Sequence, residues 1–290
     1  MSNHVLELFV ITLGAAIVNG ALGYGFSSIT VPLALLFLTN RVLNPALILI
    51  EVALNGWVLW VNRAAIPSIW RRALPIVIGL APGVVIGTVI ISRVSPSGLK
   101  FATYLILLPL ILLQAAGYRR PIRSERKVNL WFGGSVGILY AVTTISGPPL
   151  AVMLNNQGFA KKEFRAALGF VRLAESSLTA IAYMSAGLFT AGSIALIPQI
   201  LPGVALGVPI GAFLIRHVRT ETFRRVCMSF DAWIVAFGIS TLLRDLRIVE
   251  GLSAYLVLLG IAIFDAWLLY RFFSGSQADS PYRDGAARGA

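Results

Sequence analysis

Cysteine occurs once in this 290-residue chain, as Cys227, so no internal disulfide is possible and no thiolate metal site is expected. Histidine occurs twice, as His4 and His217, both near the ends of apolar segments and poorly placed to form a catalytic base set. The enzyme signatures are missing as well. There is no HExxH, no GxGxxG and no Walker sequence, and Gly23-Tyr24-Gly25 looks like the start of a dinucleotide loop without a Rossmann unit around it. The reading is therefore of a non-enzyme with no metal and no cofactor. With no ATP-driving module, any transport must draw on an ion gradient, a substrate gradient or a partner. Charge is scarce too: Asp, Glu, Lys and Arg make up 12% of the residues, against about 25% in a soluble domain.

What fills the chain instead is apolar. Hydrophobic residues make up 57% and the mean hydropathy is +0.83. The charges sit in short clusters between apolar runs, which is the pattern of a multi-pass helical membrane protein. The net charge of +12 comes from those loop-sized clusters, so the positive-inside rule accounts for it and nucleic acid is not an expected partner. The surplus also favours anionic substrates. No Lys or Arg precedes Arg41 and no small-residue cleavage site is visible, so the first apolar run reads as a retained span. Residues 274–290 are polar and Gly/Ala-rich and read as a disordered cytoplasmic tail.

Apolar segments fall at 5–22, 26–39, 43–62, 74–92, 98–116, 129–145, 148–157, 165–186, 193–215, 223–243 and 251–273. Segments 26–39 and 148–157 are too short to span, since a crossing needs about 20 residues. Each follows a break: Gly23-Tyr24-Gly25-Phe26-Ser27-Ser28 before the first, and Thr144-Ile145-Ser146-Gly147-Pro148-Pro149 before the second. An offset of 121 superimposes the breaks and sets Glu51 on Arg172; an offset of 124 superimposes the stripe Gly79, Gly83, Gly87 on Gly203, Gly207, Gly211. Such stripes let membrane helices approach closely. The basic loops at 63–72, 117–128 and 216–225 are assigned to the cytoplasm, which turns the two halves in opposite directions and sets the N-terminus outside, with Arg41 on the wrong side for the rule. The expected fold is all-α: a polytopic membrane bundle with two inverted-topology repeats, each holding a broken helix. The expected divisions are 1–117 as repeat 1, 118–128 as a cytoplasmic basic linker, 129–245 as repeat 2, 246–273 as a final span, and 274–290 as the tail.

A helix broken inside a membrane frees backbone groups that lipid cannot satisfy, so each break must be buried in protein or line a wet cavity. The restarting helix aims N–H groups and its positive dipole end into that space, which suits an anion. Gly23, Gly25, Ser27 and Ser28 at the first break, and Thr144, Ser146, Gly147, Pro148 and Pro149 at the second, are the candidate binding residues. Thr30 and Thr143 add hydroxyls. Charges within spans are costly and normally face inward and pair. Arg172 is the candidate counter-charge for an anion, and Glu51, Glu175 and Asp231 are candidate proton carriers; a static pairing of Arg172 with Glu51 or Glu175 is the plainer alternative. Asp265 and Arg271 read as markers of the membrane interface. Asn19, Asn55, Asn155 and Asn156 either line a pathway or bond to backbone.

The glycine-rich break leading to Val31-Pro32-Leu33, and its second copy Ser146-Gly147-Pro148-Pro149-Leu150, resemble the sulfite exporter TauE/SafE family from about Val5 to Phe273. In the first copy Phe26, Ser27 and Ser28 stand where that family tends to run glycines together. The resemblance implies a permease for sulfite, sulfonates or other small sulfur-containing or organic anions in the bacterial inner membrane. The resulting expectation is a secondary transporter of a small anion, possible proton coupling and homo-oligomers included. A passive anion channel or a non-transporting membrane assembly protein is the alternative.

Overall fold

The computed structural model describes residues 4–115, 126–157, 159, 161–217, 220–245, 247–249 and 251–278. Every regular element among them is helical. In chain order these are α1 (Val5–Leu22), α2 (Phe26–Ala34), α3 (Asn40–Val61), α4 (Ile66–Arg93), α5 (Pro96–Ala115), α6 (Arg126–Thr143), α7 (Gly147–Asn156), α8 (Lys161–Ser185), α9 (Ala191–Ile194), α10 (Ile197–Leu214), α11 (Thr220–Asp245) and α12 (Leu256–Ala278). Among the described residues, six helical stretches are long and apolar enough to cross a membrane: Val5–Leu22, Asn40–Val61, Arg63–Arg93, Ala191–Leu214, Arg225–Arg244 and Gly251–Ser274. The chain is a multi-pass helical membrane protein.

Both short segments are half-helices, of 9 residues in α2 and 10 in α7. At about 1.5 Å per residue neither reaches across about 30 Å of hydrocarbon. The element order repeats. α1 and α6 are each 18 residues long, each runs into a break, and each is followed by a half-helix and then a long helix. Most of the expected linker, and residues 279–290 of the expected tail, lie outside the described residues. α12 continues through Ala278, so the helix takes in the first turn of that tail.

Glycine sets the tightest packing. A Cβ on Gly79 would lie 2.1 Å from the Leu130 carbonyl oxygen, and one on Gly83 2.1 Å from that of Gly134. Thus α4 and α6 run parallel with their backbones in contact. On the other side, a Cβ on Gly211 would lie 1.9 Å from the Ile17 carbonyl oxygen, which locks α10 onto α1 in the same way. The long outer faces carry exposed apolar residues such as Trp131, Ile181 and Leu252, as expected where lipid is the solvent.

Two residues read from sequence take other roles. Arg41 does not simply break the positive-inside pattern. Its Nε donates to the Ile91 carbonyl at 3.0 Å and its Nη2 to those of Ser92 and Val94 at 2.8 and 2.9 Å, so it caps the end of α4, where free carbonyls and the negative dipole end favour a cation. Asp265 also has a partner within the protein. It is fully buried and pairs with Arg225 of α11 at 2.8 Å, because α12 turns that side of itself against α11.

Candidate functional site

The first break is built from two glycines with left-handed backbone, Gly23 at φ 85° and Gly25 at φ 107°. Glycine enters that region without a Cβ clash. At the second break the position after α6 is Thr144, also left-handed at φ 58°, a strained conformation for a β-branched residue and one that clusters at functional sites. Several of the freed backbone groups are satisfied locally. Gly23 N–H donates to the Asn19 carbonyl at 2.7 Å, Ile145 N–H to Thr143 Oγ1 at 3.1 Å, and Thr144 Oγ1 to the Thr143 carbonyl at 2.6 Å. Ser28 Oγ likewise turns back to the Gly25 carbonyl at 3.1 Å.

The two breaks touch. A Cβ on Gly147 would sit 3.2 Å from the Tyr24 ring. Around this junction the helices deliver a buried charged cluster. Glu51 of α3 accepts from Ser27 Oγ and, at 2.8 Å, from Arg172 Nη2 on the same Oε1; its Oε2 accepts from Tyr140 Oη at 2.6 Å. Glu175 of α8 accepts from Ser146 Oγ through Oε2. Glu51 and Glu175 are fully buried and Arg172 is 2% exposed. Arg172 Nε and Nη1 and Glu175 Oε1 have no hydrogen-bond partner among the described residues.

The pairing of serine with carboxylate refines the expected correspondence. In hydrogen-bonding role the counterpart of Glu51 is Glu175 rather than Arg172, at the same offset that relates the glycine stripes. Each carboxyl group stands at the N-terminus of a half-helix, bonded to the serine there.

The half-helices differ as anion donors. α2 leaves the N–H groups of Phe26, Ser27 and Ser28 without i−4 partners, whereas Pro148 and Pro149 carry no N–H and the Leu150 N–H is bonded to the Ser146 carbonyl at 3.0 Å. Backbone donation from Pro149, part of the expected second anion site, is therefore absent, and Gly147 is the first residue of α7 with an N–H to offer.

Asp231 lies apart. It is buried on α11 with Oδ1 unpartnered, and no hydrogen bond or ion pair joins it to Glu51, Arg172 or Glu175 among the described residues. Sequence reasoning missed Tyr140, whose only signal was a tyrosine one turn before the second break. Beside the first break lies a cavity of about 130 Å³, lined by Asn19, Gly23, Leu54, Trp57, Asn62 and Arg165 among others. Arg165 donates there to the Ala21 carbonyl at 3.2 Å, and Asn19 Oδ1 is unpartnered.

Spanning helices, two touching breaks and an inward-facing charged cluster define a membrane protein of the transporter class. The chain belongs to the Sulfite exporter TauE/SafE family, whose profile matches residues 8–237. That family transports and is not enzymatic, and membership brings with it a lipid bilayer and a small anionic substrate. No curated protein and no solved structure matched the chain.

Proposed function

We propose that the protein is a secondary transporter of sulfite or a small sulfonate across the bacterial inner membrane, with the anion bound where the two breaks meet. The observation that carries this reading is Arg172. A nearly fully buried guanidinium with two nitrogens lacking protein partners is expensive unless something else occupies them. In this reading Arg172 supplies the counter-charge, while the backbone amides of α2, that of Ser27 included, and the Gly147 amide supply hydrogen bonds. Gly23, Gly25, Thr144, Pro148 and Pro149 shape the backbone that presents them. Glu51 and Glu175 already occupy the two half-helix ends, so an incoming anion competes with both, and a proton carried by one of them relieves that conflict. Asp231 is the less favoured proton carrier, being outside the cluster.

The cavity beside Gly23 and Arg165 serves as the cytoplasmic approach. The two halves form an inverted-topology repeat. In support, α3 ends at the cavity where Arg165 near the start of α8 also lies, and the serine–carboxylate pairs recur in each half. The test is anion flux in proteoliposomes. Arg172→Ala should abolish sulfite and sulfonate flux while the protein remains monodisperse in detergent; unchanged flux would sink the assignment. Flux that saturates and responds to a proton gradient separates a carrier from a passive channel.

A further inference from the structure

A second anion-friendly feature lies away from the breaks. Arg71 and Arg72, in the second turn of α4, and Arg126, at the start of α6, line one pocket of about 320 Å³ together with Trp70, Asn129, Leu74, Pro75 and Ile78. Their proximity is a consequence of the glycine crossing. A Cβ on Gly133 would lie 2.1 Å from the Ile76 carbonyl oxygen, so two parallel helices touch just beyond their basic starts. Among the described residues no carboxylate lines the pocket, and neither Arg71 nor Arg126 has a carboxylate partner. Three like charges forced together by backbone contact favour a bound anion.

The rest of the pocket says which kind. Leu74, Pro75 and Ile78 are apolar, and Ile78, Val85 and Ile86 continue as an exposed apolar strip along α4. Trp70 and Trp131, both exposed, stand near the starts of the two helices, where interfacial aromatics mark the headgroup level. A basic head above an apolar wall, at the end of a helix of 28 residues, fits a lipid rather than a free ion. We infer that this pocket binds an anionic glycerophospholipid, with its phosphate among Arg71, Arg72 and Arg126 and an acyl chain along Leu74 and Ile78.

Arg72 is already held for the purpose. Its Nη2 donates to the Gln157 carbonyl at 2.5 Å, and its guanidinium lies 4.1 Å from the centre of the Phe159 ring. Gln157 in turn donates to Asn129 Oδ1 at 2.7 Å, and Asn129 donates to the Arg72 carbonyl at 3.1 Å. Because Gln157 follows the last residue of α7, the lipid site and the second half-helix share one network.

The test is a thermal-shift titration of the purified full-length protein in detergent. Phosphatidylglycerol should raise the unfolding midpoint by about 4 °C at about ten times its dissociation constant; phosphatidylcholine and inorganic phosphate at the same concentration should not. R71Q/R126Q, at two exposed positions, should lose the shift, and R63Q/R216Q, which removes equal charge elsewhere, should keep it. The single variant R126Q should weaken the shift and serves if the double variant expresses poorly. A full shift in R71Q/R126Q and R126Q, an equal loss in R63Q/R216Q, or the same shift from phosphatidylcholine or inorganic phosphate would overturn the inference.

Discussion

Gly83→Ala probes the contact on which the site's geometry hangs. The added Cβ would lie 2.1 Å from the Gly134 carbonyl oxygen, 2.9 Å from its carbon and 3.0 Å from the Ile138 nitrogen, all backbone atoms that no rotamer change can move aside. Carbon and oxygen need about 3.2 Å or more, so α4 and α6 must part by about 1 Å, and overpacking of that order costs about 1–3 kcal/mol. Alanine's higher helix propensity returns at most about 1 kcal/mol. At about 2–4 °C per kcal/mol the midpoint should fall by several degrees. Gly260→Ala is the matched control, since nothing lies within 4 Å of its Cβ, and it should melt at or above wild type. Because α6 carries Tyr140, whose hydroxyl is 2.6 Å from Glu51, flux should fall in Gly83→Ala as well. Differential scanning fluorimetry on the two variants decides it: equal midpoints would refute the backbone-contact reading.

Tyr140→Phe leaves Glu51 Oε2 without its donor and should lower anion flux about tenfold at a stability cost of about 1–3 kcal/mol, read by proteoliposome uptake and thermal melting. Glu175→Gln retains an acceptor for Ser146 but cannot carry a proton. Exchange of labelled anion across the membrane should persist, while accumulation driven by a pH gradient should be lost. Asp265→Ala strands the buried Arg225 and should destabilise by about 3–5 kcal/mol, whereas the double change Arg225→Met with Asp265→Leu should recover most of the melting temperature. Flux at a temperature below both melts should survive in each, since α12 stands outside the charged cluster.

Helix positions were legible wherever lipid alone dictated composition. The run 5–22 became α1 over the same residues, and the half-helices began within a residue of expectation, because breaks rich in Gly and Pro punctuate the chain unambiguously. The start of α4 was not legible. Arg71 and Arg72 depress the local hydropathy, so the apolar run appears to begin at 74, yet the helix starts at Ile66 with Pro67 in its first turn, where proline costs no hydrogen bond. Among site residues, Arg172 and Glu51 announced themselves because a charge within a span has few reasons to exist. Tyr140 did not, since tyrosine is ordinary in membrane helices and only the fold reveals that its hydroxyl faces a carboxylate. The capping role of Arg41 was hidden for a related reason: its partners are carbonyls 50 to 53 positions away, and backbone acceptors leave no trace in sequence.

The arrangement of the cluster bears on why a transporter of anions keeps two carboxylates at its centre. Arg172 alone beside two half-helix N-termini would make a site of fixed positive charge, and an anion bound there would be slow to leave. In the proposed reading Glu51 offsets that charge when the site is empty, through its ion pair with Arg172, while Glu51 and Glu175 hold Ser27 and Ser146 at the two helix ends. Substrate then competes with side chains that remain tethered, so its binding is weaker and its release faster than at an uncompensated guanidinium. The asymmetry of the half-helices adds direction to this competition. α2 begins with Phe26, Ser27 and Ser28, which all carry N–H groups, while the second and third residues of α7, Pro148 and Pro149, carry none. In the proposed reading the anion is therefore held more firmly on the α2 side, beside the cavity at Gly23 and Arg165, and is passed toward the weaker α7 side. Restoring an amide donor with Pro149→Ala should on this account slow release and raise apparent affinity together.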